Sequence, residues 1–181
     1  CSGDRPPLTL LAALSPERVV YLSSYSKVLA PGLRTAWLFA PEEIASRVEL
    51  AKEGADLSSS VVDQAIVAES LRQGLVARRL PELRQFYAVR CRAMLDALDR
   101  HAPPSARWTR PLGGFFILLE AAPHIDTMKL LPDAIESGVA YVPGQPFFVD
   151  STGTNTLRLA FSKEPPERIS EGIRLLCRLL C

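Results

Sequence analysis

The sequence predicts a globular α/β fold. Its 181 residues are 48% hydrophobic and 23% charged, which is the usual mixture for a folded globular domain. Short apolar runs bounded by turn residues alternate along the chain with longer stretches that carry apolar residues at helical spacing. This alternation of predicted strands and helices is the pattern of an α/β architecture.

Composition and charge exclude several classes of function. A net charge of +1 gives no reason to expect nucleic acid or an anionic membrane surface as a partner. No apolar run approaches the roughly 20 residues of a membrane-spanning helix, and the opening CSGDRPPLTL does not have the pattern of a signal peptide. The four cysteines (Cys1, Cys91, Cys177 and Cys181) are scattered, as the reduced thiols of a cytoplasmic protein usually are. Cys177 and Cys181 lie one helical turn apart. A metal site there would need two further ligands, for which the sequence offers only His101 and His124, so we expect buried or half-buried thiols and no metal.

The first predicted elements are two strands and a helix. Residues Arg18 to Leu22 and Thr35 to Ala40 are short apolar runs, so we expect buried strands, the first of them in a parallel sheet. Pro41 and the two glutamates after it predict the start of a helix, and Gly54 predicts its end.

Two more helices follow. Apolar residues recur at helical spacing from Val61 to Leu71, after serines that can cap a helix, and Gly74 closes the pattern. Pro81 then opens a long amphipathic helix from about Glu82 to Arg100, which we expect to span two lobes.

The last part of the chain predicts a second strand and helix region. Strands are expected at Phe115 to Glu120, Val139 to Val142 and Thr156 to Ser162, and helices at Asp126 to Ser137 and after Pro165-Pro166. In the last strand Leu157, Leu159 and Phe161 share one face, and Arg158 and Ala160 share the other.

A lysine and an arginine lie close together after the first strand, in Tyr21 to Trp37, YLSSYSKVLAPGLRTAW. We expect Lys27 to be partly desolvated at the carboxyl end of that strand, and desolvation leaves some of the neutral amine that forms Schiff bases. Ser24 and Ser26 offer hydroxyls, and Arg34 offers a guanidinium that matches a phosphate. Pyridoxal phosphate is an aldehyde that carries a phosphate and would use all four groups. The alternative is that Lys27 and Arg34 only flank a solvated loop.

Arg158 is a second unusual cation, because it lies in the middle of a predicted strand between apolar neighbours. It needs an anion as a partner. A substrate carboxylate would suit its guanidinium fork, and a structural salt bridge to Glu120 or Asp150 is the alternative.

These residues carry a resemblance to a known family. Ser24-Tyr25-Ser26-Lys27, followed by Ala30-Pro31-Gly32-Leu33-Arg34, closely resembles the Schiff-base motif of the fold-type I, class I and II aminotransferases. It is most similar to the subgroup of 2-aminoadipate and kynurenine aminotransferases. Further segments resemble the same family: residues 56–71, 112–116, 142–147 and 155–159.

The resemblance implies a cofactor and roles for individual residues. It implies pyridoxal 5'-phosphate, with Lys27 as the Schiff-base lysine that also carries the substrate proton, and Ser24, Ser26 and Arg34 as ligands of the phosphate. It implies that Arg158 binds the carboxylate of the amino acid or 2-oxo acid substrates. The implied assembly is a cytoplasmic homodimer.

The resemblance covers only the C-terminal half of such an enzyme. It implies that residues 1–80 are the C-terminal portion of the large cofactor-binding domain, with the lysine loop. Residues 81–181 would be the α+β small domain with the long linking helix. The family residues that contact the cofactor ring are not found before Lys27, so we expect a truncated chain that is inactive alone.

Three other readings keep this scaffold. A ligand-sensing aminotransferase-like domain of a transcription regulator has a similar lysine motif, and a DNA-binding domain upstream would indicate it. A carbon–sulfur lyase or a decarboxylase would be distinguished only by turnover of substrate. A truncated lobe without activity would expose a large apolar patch and self-associate.

Overall fold

A computed structural model describes residues 9–181, so Cys1 and the expected start of the first domain lie outside the described residues. The described chain divides into two compact units, residues 9–82 and residues 83–181. No helix of the described residues has the length and hydrophobicity needed to cross a membrane. The same residues contain no group of three His, Cys, Asp or Glu side chains that could hold a metal ion.

The first unit contains a two-stranded hairpin. A short helix, α1 (Leu11–Leu14), precedes β1 (Tyr21–Ser24), which pairs with β2 (Ala36–Phe39). The pairing is antiparallel, with Ser24 opposite Ala36. The expected buried, parallel strand is therefore wrong. The strands are joined by a loop short enough for antiparallel pairing, whereas a parallel pair needs a crossover of a dozen residues or more.

Two helices follow the hairpin, α2 (Glu42–Asp56) and α3 (Val61–Arg72). The predicted end of α2 at Gly54 is wrong, because the helix continues to Asp56. One glycine weakens a helix by only about 1 kcal/mol, and the ion pair from Lys52 Nζ to Asp56 Oδ1, at 2.8 Å, spans it. The predicted cap of α3 is confirmed, since Ser60 Oγ accepts a hydrogen bond from the Asp63 amide.

The long helix α4 (Leu75–His101) begins before the predicted start at Pro81 and contains that proline in its interior. A proline inside a helix removes one backbone hydrogen bond and crowds the preceding turn. Residues before Pro81 are nevertheless helical, back to Leu75. Gly74, with φ 66°, lies between the end of α3 and the start of α4. The predicted start at Pro81 is therefore wrong, whereas the predicted end of α3 at Gly74 is correct.

The second unit is a four-stranded antiparallel sheet covered by helices on one face. Its strands are β3 (Arg107–Trp108), β4 (Phe116–Glu120), β5 (Val142–Pro143) and β6 (Thr156–Ala160), in the order β3-β4-β6-β5. Its other helices are α5 (Thr127–Glu136) and α6 (Pro166–Leu179). The sequence patterns did not predict β3, which has two residues. They also predicted a strand of four residues from Val139 to Val142, whereas β5 has two residues and ends at Pro143.

The hydrophobic core of this unit lies between α4, α6 and one face of the sheet. Alternate residues of β4 and β6 point into it, and the predicted two-faced pattern of β6 is confirmed. The fully buried members include Leu98, Ile117, Leu119, Leu157, Phe161 and Leu176. Burial of each such side chain contributes about 1.5–3 kcal/mol. The opposite face of the sheet is accessible, with Phe116, Leu118 and Val142 all exposed around Arg158.

Candidate functional site

The first group of predicted site residues lies in the loop that joins β1 to β2. The strands end at the Ser24–Ala36 pair. One residue further on, the Tyr25 amide donates a hydrogen bond to the Thr35 carbonyl at 3.1 Å. This bond closes the base of the loop. It therefore brings the residues at the two ends of the loop together, Ser24 and Ser26 at one end and Arg34 at the other.

Lys27 ends a 3-10 turn, Tyr25–Lys27, that starts directly after β1. The Leu29 amide donates to the Tyr25 carbonyl at 2.8 Å and fixes this turn. The lysine side chain is exposed, so the expected desolvation by this chain's own strands is wrong. The reason is the architecture: β1 belongs to a hairpin whose residues are half-buried or exposed, and no described element covers the end of the strand.

Arg34 follows a second 3-10 turn, Pro31–Leu33, and has a left-handed backbone with φ 47° and ψ 24°. This region costs a residue with a Cβ atom about 1–2 kcal/mol. The Thr35 hydroxyl donates to the Leu33 carbonyl at 2.9 Å and holds the bend. The guanidinium is exposed, and its Nη1 donates only a long bond of 3.4 Å to the Pro31 carbonyl. Strained residues of this kind cluster at functional sites.

The loop is positively charged. Between Glu17 and Glu42 the sequence contains Arg18, Lys27 and Arg34 and no acidic residue. Neither Lys27 nor Arg34 forms an ion pair with an acid among the described residues. Two unpaired cations with nearby hydroxyl and amide donors are the groups that bind a phosphate dianion. The donor set therefore fits an aldehyde that carries a phosphate.

A cavity in the first unit lies away from this loop. It has a volume of about 330 Å³ and is lined by α2, by α3, by the loop between them and by the start of β2, including Glu49, Lys52, Ser58 and Gln64. None of the predicted cofactor ligands lines it. Gln64 donates its side-chain amide to the Ser59 carbonyl at 3.1 Å, so within this chain it holds the turn before α3.

Arg158, the remaining predicted site residue, belongs to the second unit. It lies on the accessible face of β6, with Leu118 and Val142 opposite it on the neighbouring strands. Its guanidinium carbon lies 4.2 Å from the centroid of the Phe116 ring and 4.9 Å from that of Phe147. Its Nε is buried and has no hydrogen-bond partner among the described residues.

The alternative of a structural salt bridge is not formed. No ion pair joins Arg158 to Glu120 or Asp150. The Asp150 carboxylate instead accepts bonds from the amide and hydroxyl of Thr152, at 3.2 and 2.7 Å, and these bonds lower its pKa. A half-buried arginine without an acidic partner can bind an anion, and its fork suits a carboxylate.

Sequence reasoning missed the aromatic surroundings of Arg158. Phe116 is on the adjacent strand and Phe147 is in a 3-10 turn, Gln145–Phe147, far from it in sequence. The alternation of side chains along β4 places Phe116 on the same face as Arg158. The position of that ring could therefore have been predicted if the pairing of β4 with β6 had been known. No local pattern indicates Phe147.

Comparison with known proteins gives consistent matches along the chain. The family model described as "Aminotransferase class I and II" matches residues 1–176. The 2-aminoadipate transaminase of Thermus thermophilus is 44% identical over 162 residues, which are 90% of this chain and 41% of that protein. An uncharacterized HTH-type transcriptional regulator of Bacillus subtilis is 31% identical over 93% of this chain and 34% of that protein.

A solved structure is also similar to this chain in fold. It is the alpha-aminoadipate aminotransferase of Thermus thermophilus in complex with N-(5'-phosphopyridoxyl)-L-leucine. The TM-score is 0.91 at 41% identity, over 97% of this chain and 46% of that one. The chain therefore spans less than half the length of these relatives. The matches confirm the resemblance and the fold type predicted from the sequence.

Proposed function

Because the chain belongs to the class I and II aminotransferase family, we propose that the full protein transfers an amino group between an amino acid and a 2-oxo acid, with pyridoxal 5'-phosphate as cofactor. The observation that carries this proposal is the loop closed between Tyr25 and Thr35, which contains Lys27 and Arg34 and no acidic residue. The relative solved with a phosphopyridoxyl amino acid supports the same cofactor.

In this proposal the lysine acts on the aldehyde and the substrate, and the arginine and the two serines bind the phosphate. Lys27 attaches the cofactor through Nζ and later carries the proton at the substrate Cα, for which a lysine amine is suited. Arg34 binds the phosphate through its guanidinium, and Ser24 and Ser26 donate their hydroxyls to the same group. When bound, the cofactor supplies an electron sink for the electrons of the Cα–H bond.

Arg158 orients the substrate. Its guanidinium binds the α-carboxylate, and a bound carboxylate restricts the orientations that the amino acid can adopt. No ion pair of the described residues includes Arg158, and this supports the role, because the charge is free to bind a substrate anion. The mechanism thus assigns residues 9–82 to the cofactor and Arg158 to the substrate.

The test is to locate the cofactor on the full-length protein. The protein is mixed with pyridoxal phosphate, reduced with borohydride and digested, and the modified lysine is identified by mass spectrometry. We expect the modification on Lys27 and its loss in Lys27→Ala, whereas Lys52→Ala, which removes another exposed lysine, keeps it. A modification spread over several lysines and unaffected by Lys27→Ala would contradict the proposal.

The isolated 181-residue chain is proposed to bind the cofactor weakly and to be inactive. It carries the groups for the aldehyde and the phosphate, while the ring contacts implied by the resemblance are not found before Lys27. A cofactor titration of the chain and of the full-length protein, followed by absorbance, compares their affinities. Equally tight binding by both would contradict this part.

The transcription regulator that matches most of this chain supports a second candidate, a ligand-sensing domain. The two functions differ in turnover and in DNA binding. An aminotransferase converts amino acid and 2-oxo acid over many catalytic cycles, whereas a sensing domain binds the cofactor without turnover. A sensing domain of this kind also belongs to a protein that binds DNA, which an electrophoretic mobility-shift assay of the full-length protein measures. We propose that the enzyme is a homodimer in the cytoplasm. Light scattering of the full-length protein measures its molar mass and so tests the dimer.

A further inference from the structure

Two aromatic rings hold the guanidinium of Arg158. Its central carbon is 4.2 Å from the Phe116 centroid and 4.9 Å from the Phe147 centroid. These separations are within the range of a cation–π attraction, which extends to about 6 Å. The arginine therefore has aromatic neighbours in place of an acidic one.

The ring of Phe147 is placed by an unusually close contact between two backbone segments. The Gly144 amide donates to the Thr156 carbonyl at 2.8 Å, and the Phe147 amide donates to the Gly144 carbonyl at 2.9 Å. A Cβ atom at Gly144 would lie 1.9 Å from Thr156 Oγ1, so only glycine allows this approach. The contact places the turn Gln145–Phe147 two residues from Arg158 along β6.

The same turn is also held from its other end. Gln145 donates its side-chain amide to the Ser151 carbonyl at 3.1 Å. The Phe148 ring lies against Gly153, where an added Cβ would be 2.4 Å from the ring. The turn is thus tied to β6 and to the following loop, so the backbone that carries the exposed Phe147 ring has a defined position.

Phe116 is placed by the sheet itself. It is opposite Ala160, and Arg158 is opposite Leu118, so Phe116 and Arg158 are diagonal neighbours on one face of antiparallel strands. Diagonal neighbours are within reach of aromatic and long side chains. One ring therefore comes from the rigid sheet and the other from the turn.

We propose that Phe147 and Phe116 are positioning residues that fix the Arg158 guanidinium before a carboxylate binds. An arginine has many rotamers, and a ligand that must order it binds more weakly than one that meets it already ordered. Because Nε is buried, the carboxylate approaches through the two Nη atoms. The inference rests on the proposed carboxylate role of Arg158 and extends it to the rings.

The test measures binding to the full-length protein by calorimetry, without turnover. The ligand is 3-phenylpropionate, a carboxylate without an amino group, and its neutral amide is the comparison. Phe147→Leu keeps an apolar side chain but removes the ring. We expect it to weaken binding of the carboxylate about three- to tenfold and to leave binding of the amide unchanged. Phe147→Tyr, which restores a ring, returns the affinity to within about twofold of the original.

Two further variants make the result interpretable. Phe86→Leu removes a ring that lies 3.4 Å from a different guanidinium, that of Arg90, and we expect no change in either ligand. Arg158→Gln tests the underlying role and should abolish the preference for carboxylate over amide.

Each outcome decides between the two claims. If Arg158→Gln removes the preference but Phe147→Leu does not weaken carboxylate binding, the positioning role is overturned and the carboxylate role stands. Equal weakening of the acid and the amide by Phe147→Leu overturns it as well, because that result indicates only a change in the pocket walls. A preference that survives Arg158→Gln overturns the carboxylate role itself and the inference with it.

Discussion

Gly144 and Thr156 approach each other so closely that a Cβ atom at position 144 would lie 1.9 Å from Thr156 Oγ1. The Thr156 hydroxyl donates a bond of 2.7 Å to the Gly153 carbonyl, so it has little freedom to move away. This contact connects the turn Gln145–Phe147 to the strand that carries Arg158. It is therefore both a packing feature and a determinant of the proposed substrate site.

Gly144→Ala is the direct test of that contact. The methyl group must displace Thr156 or the turn, and overpacking of this kind costs about 1–3 kcal/mol. Thermal unfolding of the full-length protein should show a lower midpoint. Gly172→Ala is the control: that glycine lies inside α6 with open space at its Cβ position, and alanine there should be neutral or stabilising by about 0.5–1 kcal/mol. A midpoint lowered equally by both changes would argue against a specific contact.

Tyr141 should make stability fall at high pH. Its hydroxyl donates to the Thr127 carbonyl at 2.8 Å. Burial, with Asp126 and Asp133 nearby, raises the pKa of Tyr141 from 10.0 to about 12. Between these values the unfolded chain loses the tyrosine proton while the folded chain keeps it. Stability from this group is therefore present below about pH 10 and is lost as the pH rises toward 12.

The measurement is denaturant unfolding across that pH range for the original protein and for Tyr141→Phe. The variant lacks the titrating hydroxyl and should lose less stability between about pH 10 and 12. At neutral pH it should be about 1–2 kcal/mol less stable, because the Thr127 carbonyl loses its donor. If the free energy of unfolding falls equally with pH in the two proteins, Tyr141 does not cause the loss of stability at high pH.

Arg34→Gly should separate cofactor binding from stability. Glycine adopts the left-handed backbone at this position without a Cβ penalty, so the free energy of unfolding should change by less than about 1 kcal/mol. The affinity for pyridoxal phosphate should fall at least about tenfold, since a charge-assisted bond to the phosphate is worth about 1.5–3 kcal/mol. Equilibrium dialysis of the full-length protein measures that affinity.

Arg18→Ala is the comparison for this variant, because Arg18 is an exposed arginine before the hairpin, near the Glu17 carboxylate at 3.8 Å. We expect it to leave cofactor affinity unchanged. An equal loss of affinity in both variants would indicate a general effect of positive charge and not a phosphate contact at Arg34.

Cys177 should resist alkylation. It is buried, and burial raises the pKa of its thiol to about 11. Only the thiolate reacts, so at neutral pH Cys177 should be modified far more slowly than the exposed Cys181. Iodoacetamide labelling followed by peptide mass spectrometry measures the two rates. Equal rates in the folded protein would show that the C-terminal end of α6 opens readily.

The local sequence determined much of the second unit. The alternation in Thr156–Ala160 placed Leu157 and Leu159 in the core and Arg158 on the accessible face, because side chains of a strand point alternately to its two sides. The helix predicted from Asp126 to Ser137 is present as α5 (Thr127–Glu136), and the Asp126 carboxylate caps two of its backbone amides. The motif around Lys27 and Arg34 identified the family, because that spacing is specific.

Only the tertiary structure decided three other features. The direction of pairing between β1 and β2 depends on the path of the connecting chain, and a short apolar run does not encode it. The start of α4 at Leu75 depends on whether a helix tolerates Pro81, which local rules count as a boundary. The rings around Arg158 come from positions 116 and 147. Their approach depends on sheet pairing and on the close contact at Gly144, both long-range interactions that no local periodicity contains.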